Sequence, residues 1–453
     1  TTFTISNERI GLSLTKVDYD TKQPLKDVTF TLKPAEGSSF GDKYTGNAIV
    51  NGVVTLTTDA NGKITIPYEL VKHDNSYILT EQDLSGAYPN YRYSVETNHQ
   101  ITFKVEKDGT ITITSPNALF QLAEGDATAL VVSNQQIMLT VSKLDQATGT
   151  TLKGVKLKLC QLTTDPDTWT DVEEWTTDGN PKVFKGDTFI PGTYKLEEVE
   201  TPEGYNPIAG SLTFTIDQSG KVTKAAVGED SLAALTETSW TAKNFTITNP
   251  ADGQPSEINL SVTNAAYSDL QITKQGSDGG LLSEVEFRLD YWDGAAWQYV
   301  SLNGGKAEVE NHALKPGTAE TAKLTTDSRG IATFSGLPNG RYRLTELKTA
   351  QGYNLLSAPL EIEIDRNGEI YTVSYNGGTQ NGGSEGTLTR QGNSNTILLT
   401  VINQKGLVLP ATGTTTPQLP KAVLGLTALL EGLVLYLYQM GGKRRNREAK
   451  WKK

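Results

Sequence analysis

Three stretches of this 453-residue chain repeat one another, and each carries charged and amide residues in phase with apolar ones. The first opens Leu12-Ser13-Leu14-Thr15-Lys16-Val17-Asp18, the second Leu139-Thr140-Val141-Ser142-Lys143-Leu144-Asp145, the third Leu270-Gln271-Ile272-Thr273-Lys274. A middle segment recurs as Tyr77-Ile78-Leu79-Thr80-Glu81, Tyr194-Lys195-Leu196-Glu197-Glu198 and Tyr342-Arg343-Leu344-Thr345-Glu346. Each stretch closes on an asparagine: Leu130-Val131-Val132-Ser133-Asn134, Leu260-Ser261-Val262-Thr263-Asn264 and Leu399-Thr400-Val401-Ile402-Asn403. Self-similarity on this scale predicts tandem domains rather than one large core.

In a β-strand, residues two apart share a face. Leu12, Leu14 and Lys16 therefore lie together, as do Tyr77, Leu79 and Glu81, and Leu130, Val132 and Asn134. The same holds in both other repeats. One Lys, one Glu and one Asn per repeat are thus predicted to point into the core. A single such residue is best explained as a strand end reaching solvent, because Lys and Glu are rarely buried unpaired. Three residue types in phase across three repeats need another explanation, since each unpaired burial costs several kcal/mol. Burial lowers a Lys pKa and raises that of a Glu. A neutral amine is a nucleophile, and a neutral Glu could donate to the Asn side-chain carbonyl. Attack of the amine on the amide carbon, with loss of ammonia, would leave an isopeptide bond. The Glu would act as proton shuttle, and desolvation and proximity would supply the remaining rate.

Composition agrees with an all-β reading. Gly counts 43 and Pro 18, and Thr, Ser, Val and Tyr recur in alternating runs, as in short strands and turns. With one cysteine, Cys160, a disulfide framework within the chain and a cysteine-rich zinc site are excluded. Cys160 lies in an alternating segment and reads as a small buried hydrophobe. The net charge is −11 although the residues from Gly413 onward hold eight Lys or Arg against two Glu. The remainder is strongly acidic, which argues against nucleic acid as a partner.

The C-terminus has three parts in order. Leu409-Pro410-Ala411-Thr412-Gly413 comes first, an apolar run from Ala422 to Met440 follows after a polar spacer, and a basic tail starts at Lys443. As a helix the 19-residue run would span about 28 Å, close to the hydrocarbon thickness. The basic tail would stay cytoplasmic. Glu431 would cost roughly 2.5–3.5 kcal/mol at mid-membrane, which a transient stop in export tolerates better than a permanent anchor. The order of parts resembles the LPxTG cell-wall sorting signal. That resemblance implies cleavage by a sortase between Thr412 and Gly413 and transfer of Thr412 to a peptidoglycan amine.

The repeats themselves resemble the Cna B-type (SpaA-like) domains of Gram-positive adhesins and pilins. The Tyr-x-Leu-x-Glu segment followed by Pro202-Glu203-Gly204-Tyr205 is similar to the family's E-box, and Ala350-Gln351-Gly352-Tyr353 is close to it. Repeat one departs, reading Leu84 to Tyr88 with no proline, and the Lys-x-Asp opening fails in repeat three, where Gly276 stands. The resemblance implies an all-β fold of tandem Ig-like β-sandwiches in a rod, followed by a C-terminal transmembrane sorting helix. Its bonds would join Lys16 to Asn134, Lys143 to Asn264 and Lys274 to Asn403, with Glu81, Glu198 and Glu346 as shuttles. Expected boundaries are 9–136, 137–266 and 267–405 for the repeats and 406–453 for the sorting signal, with 422–440 as its hydrophobic segment.

Residues 1–8 read as the remnant of a preceding repeat. Phe3, Ile5 and Asn7 share a face as Leu130, Val132 and Asn134 do, and Asn7 precedes Lys16 by nine residues as Asn134 precedes Lys143. Asn7 would then be the acceptor for a Lys further upstream. Asn376 to Asn395, rich in Gly and Asn, is predicted as a long hairpin connection. Trp169, Trp175, Trp292 and Trp297 lie in acidic loops and read as sandwich-edge cover, with a glycan- or protein-contact patch as the alternative. Asp165, Asp167 and Asp171 lack the Gly and bidentate Glu of a calcium loop, so no metal and no cofactor is expected.

The functional expectation is a non-enzymatic structural stalk of a sortase-anchored surface adhesin, covalently attached to a Gram-positive cell wall after transient membrane retention. Upstream domains are the expected place for any host or neighbouring-cell ligand. The alternative is a minor tip or base pilin of a sortase-assembled pilus. A pilus backbone is disfavoured because Ala87-Tyr88-Pro89-Asn90 is the nearest approach to the family's Tyr-Pro-Lys motif and lacks the Lys.

Overall fold

A computed structural model describes residues 11–93, 99–163, 168–187, 189–208, 210–251, 257–365, 371–375, 386–390 and 395–406. The Asn7, LPxTG and 422–440 expectations, and Asp165 and Asp167, lie outside the described residues. The described residues form three tandem two-sheet sandwiches built from strands and turns. Each sandwich has its own core: Leu14, Phe30, Tyr77 and Phe103 are among the first set, Val141, Leu157, Tyr194 and Phe214 among the second, and Ile272, Phe287, Tyr342 and Leu399 among the third.

Alternation puts these side chains inside. Leu12–Asp18 and Ser268–Gly276 bury every second residue along most of their length. In each repeat the first and last strands are neighbours and run parallel, although the intervening chain is more than a hundred residues long. Leu12–Asp18 lies on Asp126–Asn134, Leu139–Asp145 on Ile258–Asn264, and Ser268–Gly276 on Thr396–Asn403. The register is the same each time: the Lys faces the valine two residues before the Asn. The Glu-bearing strands Asn75–Glu81, Gly192–Glu200 and Gly340–Lys348 belong to the opposing sheets. Glutamate therefore meets lysine and asparagine across the core.

Two glycines hold the lysine strands. Gly62 and Gly330 have φ of 69° and 70°, a conformation glycine adopts without strain. Their carbonyls accept from Lys16 N at 2.7 Å and Lys274 N at 2.8 Å. A Cβ on Gly62 would stand 2.4 Å from the Lys16 carbonyl oxygen, and one on Gly330 2.8 Å from that of Lys274.

The predicted long connection from Asn376 to Asn395 is interrupted. Gly386–Arg390 is a strand that pairs antiparallel with Thr396–Asn403. Its Thr387-Leu388-Thr389 core has strand-forming residues that the Gly- and Asn-rich surroundings obscured in the sequence.

Candidate functional site

Each sandwich brings its Lys, Glu and Asn together. All nine side chains are buried: Lys16, Glu81, Asn134, Asn264 and Lys274 have no exposed surface, and the other four have almost none. Lys and Asn share a face of the parallel pair. The Lys reaches along the strand toward the Asn, and the Glu descends from the other sheet.

In repeat two one carboxyl group bridges the two nitrogens. Glu198 Oε2 lies 3.0 Å from Lys143 Nζ, and Glu198 Oε1 accepts from Asn264 Nδ2 at 2.9 Å. Asn264 Nδ2 also donates to the Asn206 carbonyl at 2.8 Å. Thr201 Oγ1 donates to the same Glu198 Oε1. Burial pulls the Lys143 ammonium down to about 8, against the opposing charge and hydrogen bond of Glu198. Asn264 Oδ1, the amide oxygen, accepts no hydrogen bond there.

Repeat three has the same bridge. Glu346 Oε1 accepts from Asn403 Nδ2 at 2.7 Å and lies 3.8 Å from Lys274 Nζ. Asn403 Nδ2 also donates to Thr349 Oγ1 at 2.7 Å, and Glu346 Oε2 accepts from Leu356 N at 2.8 Å. Lys274 Nζ donates to the Val401 carbonyl at 3.3 Å.

Repeat one is arranged differently. Lys16 Nζ donates to Asn134 Oδ1 and lies 3.2 Å from Glu81 Oε1. Asn134 Nδ2 turns away to the Arg92 carbonyl at 3.2 Å. The second oxygen of Glu81 is taken by His99, whose Nδ1 lies 2.8 Å from Oε2. Burial pulls the Lys16 ammonium below its usual value, with Glu81 opposing. Burial pushes the Glu81 carboxyl up, but Lys16 and His99 outweigh it and hold the group below the usual carboxylate range. The expectation that burial alone would leave the glutamate neutral therefore fails for Glu81, because a cation and a hydrogen-bond donor face it. Nor do Glu198 and Glu346 donate to the Asn carbonyl. Their oxygens face its nitrogen instead.

In repeats two and three the geometry suits a proton relay. The carboxylate can take a proton from the lysine and deliver it to the asparagine nitrogen, the leaving group when the amine attacks the amide carbon. Sequence reasoning missed His99, Thr201, Thr349 and the two carbonyls that hold the Asn nitrogens. His99 had a signal: it is in phase with Ile101, Phe103 and Val105, which are all buried.

The other candidates have local partners. Cys160 is buried, and burial pushes its thiol up. Asp171 lies 2.8 Å from Lys158 Nζ. Trp175 packs against Phe184 at 5.2 Å between centroids, and Arg343 sits 4.6 Å over Trp297. Among the described residues no group of His, Cys, Asp and Glu is arranged to hold a metal, and no helix is long and apolar enough to cross a membrane.

A family model described as SpaA, a prealbumin-like fold domain, matches residues 11–118, 138–230 and 268–379. No curated protein matches. Among solved structures, the chain is similar to the pilus adhesin SpaC from Lactobacillus rhamnosus GG in its open conformation. The identity is 18% over 88% of this chain and 44% of that one, with a TM-score of 0.33. It is also similar to the Bacillus anthracis TIE protein, at 17% identity over 87% of this chain and 51% of that one, TM-score 0.25. A third is GBS52, the minor pilin of Streptococcus agalactiae, at 18% identity over 62% of this chain and 98% of that one, TM-score 0.24. The chain spans less than half the length of the SpaC adhesin it matches.

Proposed function

Since the chain belongs to the SpaA family of prealbumin-like fold domains, we propose that it is the stalk of a wall-anchored surface adhesin whose repeats close internal Lys–Asn bonds. The observation that carries this reading is the recurrence of one buried constellation in three sandwiches: an amine, a carboxyl and a primary amide on paired first and last strands and the facing sheet. In each, Lys Nζ attacks the Asn amide carbon. The carbon–Nδ2 bond breaks, the amine proton ends on Nδ2, carried in repeats two and three by the carboxyl that touches it, and ammonia leaves. The bonds are Lys16–Asn134, Lys143–Asn264 and Lys274–Asn403.

Such a bond suits a loaded stalk. Force entering a first strand would reach the Lys, cross to the Asn on the neighbouring strand and leave toward the next repeat. The sandwich between would bear none of it. Leu409-Pro410-Ala411-Thr412-Gly413 would then hand the load to peptidoglycan through a sortase-made linkage at Thr412.

Two measurements test this. Intact mass of the purified ectodomain is short by one ammonia per bond, three in all; a full calculated mass overturns the bonds. In a sortase-bearing host, Thr412→Ala abolishes recovery in the covalent wall fraction; recovery equal to the parent overturns the anchor. A high-mass ladder in the wall extract, in place of one band, would mark a pilus subunit.

A further inference from the structure

One residue in each of the first two repeats faces both the bond site and the next repeat. The tyrosine that closes the E-box segment forms the same bridge in all three sandwiches, Tyr205 with Ala266, Tyr353 with Lys405 and, in repeat one, Tyr91 rather than Tyr88, with Gln136. Its successor bonds the chain just beyond the acceptor Asn, Arg92 N to Gln135 O, Asn206 N to Ala265 O and Asn354 N to Gln404 O. Arg92, Asn206 and Asn354 are thus equivalent positions.

Arg92 and Asn206 act in two directions. Through its backbone carbonyl each holds the acceptor amide of its own repeat: Arg92 O takes Asn134 Nδ2 at 3.2 Å, and Asn206 O takes Asn264 Nδ2 at 2.8 Å. Through its side chain each holds the following repeat. Arg92 Nε donates to Ser219 O at 3.0 Å, and Asn206 Oδ1 accepts from Asn339 N at 2.7 Å.

The first junction is braced on both sides of Arg92. Tyr93 N donates to Gln218 O at 2.7 Å, and Gln218 Nε2 donates to Tyr91 O at 2.7 Å and to Pro89 O at 3.2 Å. The turn Asp217 to Gly220 comes so close that a Cβ on Gly220 would stand 2.7 Å from Arg92 Cγ. The peptide that orients the acceptor amide is therefore fixed by the neighbour.

We propose that Arg92 and Asn206 are positioning residues that make bond closure in one repeat depend on docking of the next. This rests on the reading of the three sites as isopeptide-forming. Closure needs the amide carbon in line with the amine, and rates of such reactions fall steeply when a reacting group is misplaced by an ångström. A repeat would then lock only after its successor has folded and seated, so the stalk would set its junctions before its covalent bonds.

The test uses the full chain made by cell-free synthesis, quenched in denaturant at intervals, digested, and assayed by mass spectrometry for crosslinked and linear peptides. Gln218→Ala lies in repeat two, yet it slows closure of Lys16–Asn134 about fivefold or more and leaves Lys143–Asn264 at the parent rate. Arg92→Ala does the same, and Arg92→Lys recovers part of the rate. Parent rates for Lys16–Asn134 in both alanine variants overturn the coupling, as does equal slowing of all three bonds, which marks general damage to the fold. If the parent chain never joins Lys16 to Asn134, the isopeptide reading of that site fails first, and the coupling falls with it.

Discussion

Lys143 stands two residues out of register with Asn264: in the parallel ladder it faces Val262, while Asp145 faces Asn264. The offset recurs as Lys16 opposite Val132 and Lys274 opposite Val401. Two residues of strand span about 6.6 Å, which an extended lysine side chain can cover when it leans along the strand. An asparagine directly opposite would lie beneath the lysine stem, and the amine would overshoot it. The strand register therefore sets where the nitrogen can attack.

Moving the amide by one strand period tests this. Val262→Asn combined with Asn264→Val keeps both residues on the core face and places the amide opposite Lys143. Repeat two then keeps its ammonia, and intact mass rises by one ammonia relative to the value calculated from a fully bonded chain. Undiminished ammonia loss would show that register is not what directs the attack.

Glu198 should matter to both chemistry and stability. Glu198→Ala removes the group that touches Lys143 Nζ and Asn264 Nδ2, so repeat two retains its ammonia. Losing a crosslink that closes a loop of about a hundred residues costs roughly 4–5 kcal/mol in chain entropy, on the disulfide analogy. An unpaired buried lysine adds further cost. The calorimetric transition of repeat two should fall by about 10 °C or more. An unchanged transition would argue against a crosslink in the parent.

The pH dependence follows from the depressed Lys143 amine. The neutral amine attacks, so the rate of closure in repeat two should climb as pH rises through about 8 and level off above it. In Asn264→Ala, which cannot close, the same shift becomes a stability effect. The folded pKa of about 8 lies below the ordinary lysine value of 10.5, so between them the unfolded chain binds more protons and stability rises with pH. The full cost of burying the charge is felt below pH 8 and is about 3 kcal/mol. Denaturant titrations of Asn264→Ala with and without Lys143→Met measure it; identical pH profiles for the two would refute the shift.

Much of the site was legible because a strand has a period of two. Lys16, Glu81 and Asn134 could be placed on the core face from Leu14, Leu79 and Val132 alone, and threefold recurrence supplied the partners. What could not be read was the second layer. Thr201 and Thr349 lie just past the ends of the glutamate strands, where no periodicity speaks. The clamps on Asn134 and Asn264 are backbone carbonyls of Arg92 and Asn206, which any residue type provides. The amide orientation also escaped, since it depends on what else the glutamate accepts: in repeat one His99 occupies Glu81 Oε2, and Asn134 presents its oxygen to Lys16 instead. The strand Gly386–Arg390 was hidden because its glycine-rich flanks outweighed three strand-forming residues.

The strongest mechanical consequence concerns the parallel pairing of Leu12–Asp18 with Asp126–Asn134. Pulling on the two ends of the repeat draws these strands past each other in shear. Without a covalent bond, rupture of that ladder would free the whole segment between. Lys16 and Asn134 are 118 residues apart, and a fully extended chain spans about 3.3–3.6 Å per residue, so one rupture would release roughly 400 Å. With the bond in place the load crosses from Lys16 to Asn134, and the intervening strands are never extended. In an optical trap, the full chain held by its ends should show no long extension step from any repeat, and Lys16→Ala should add a single step of about that length. A parent chain that itself yields three such steps would mean that its repeats carry force through hydrogen bonds alone.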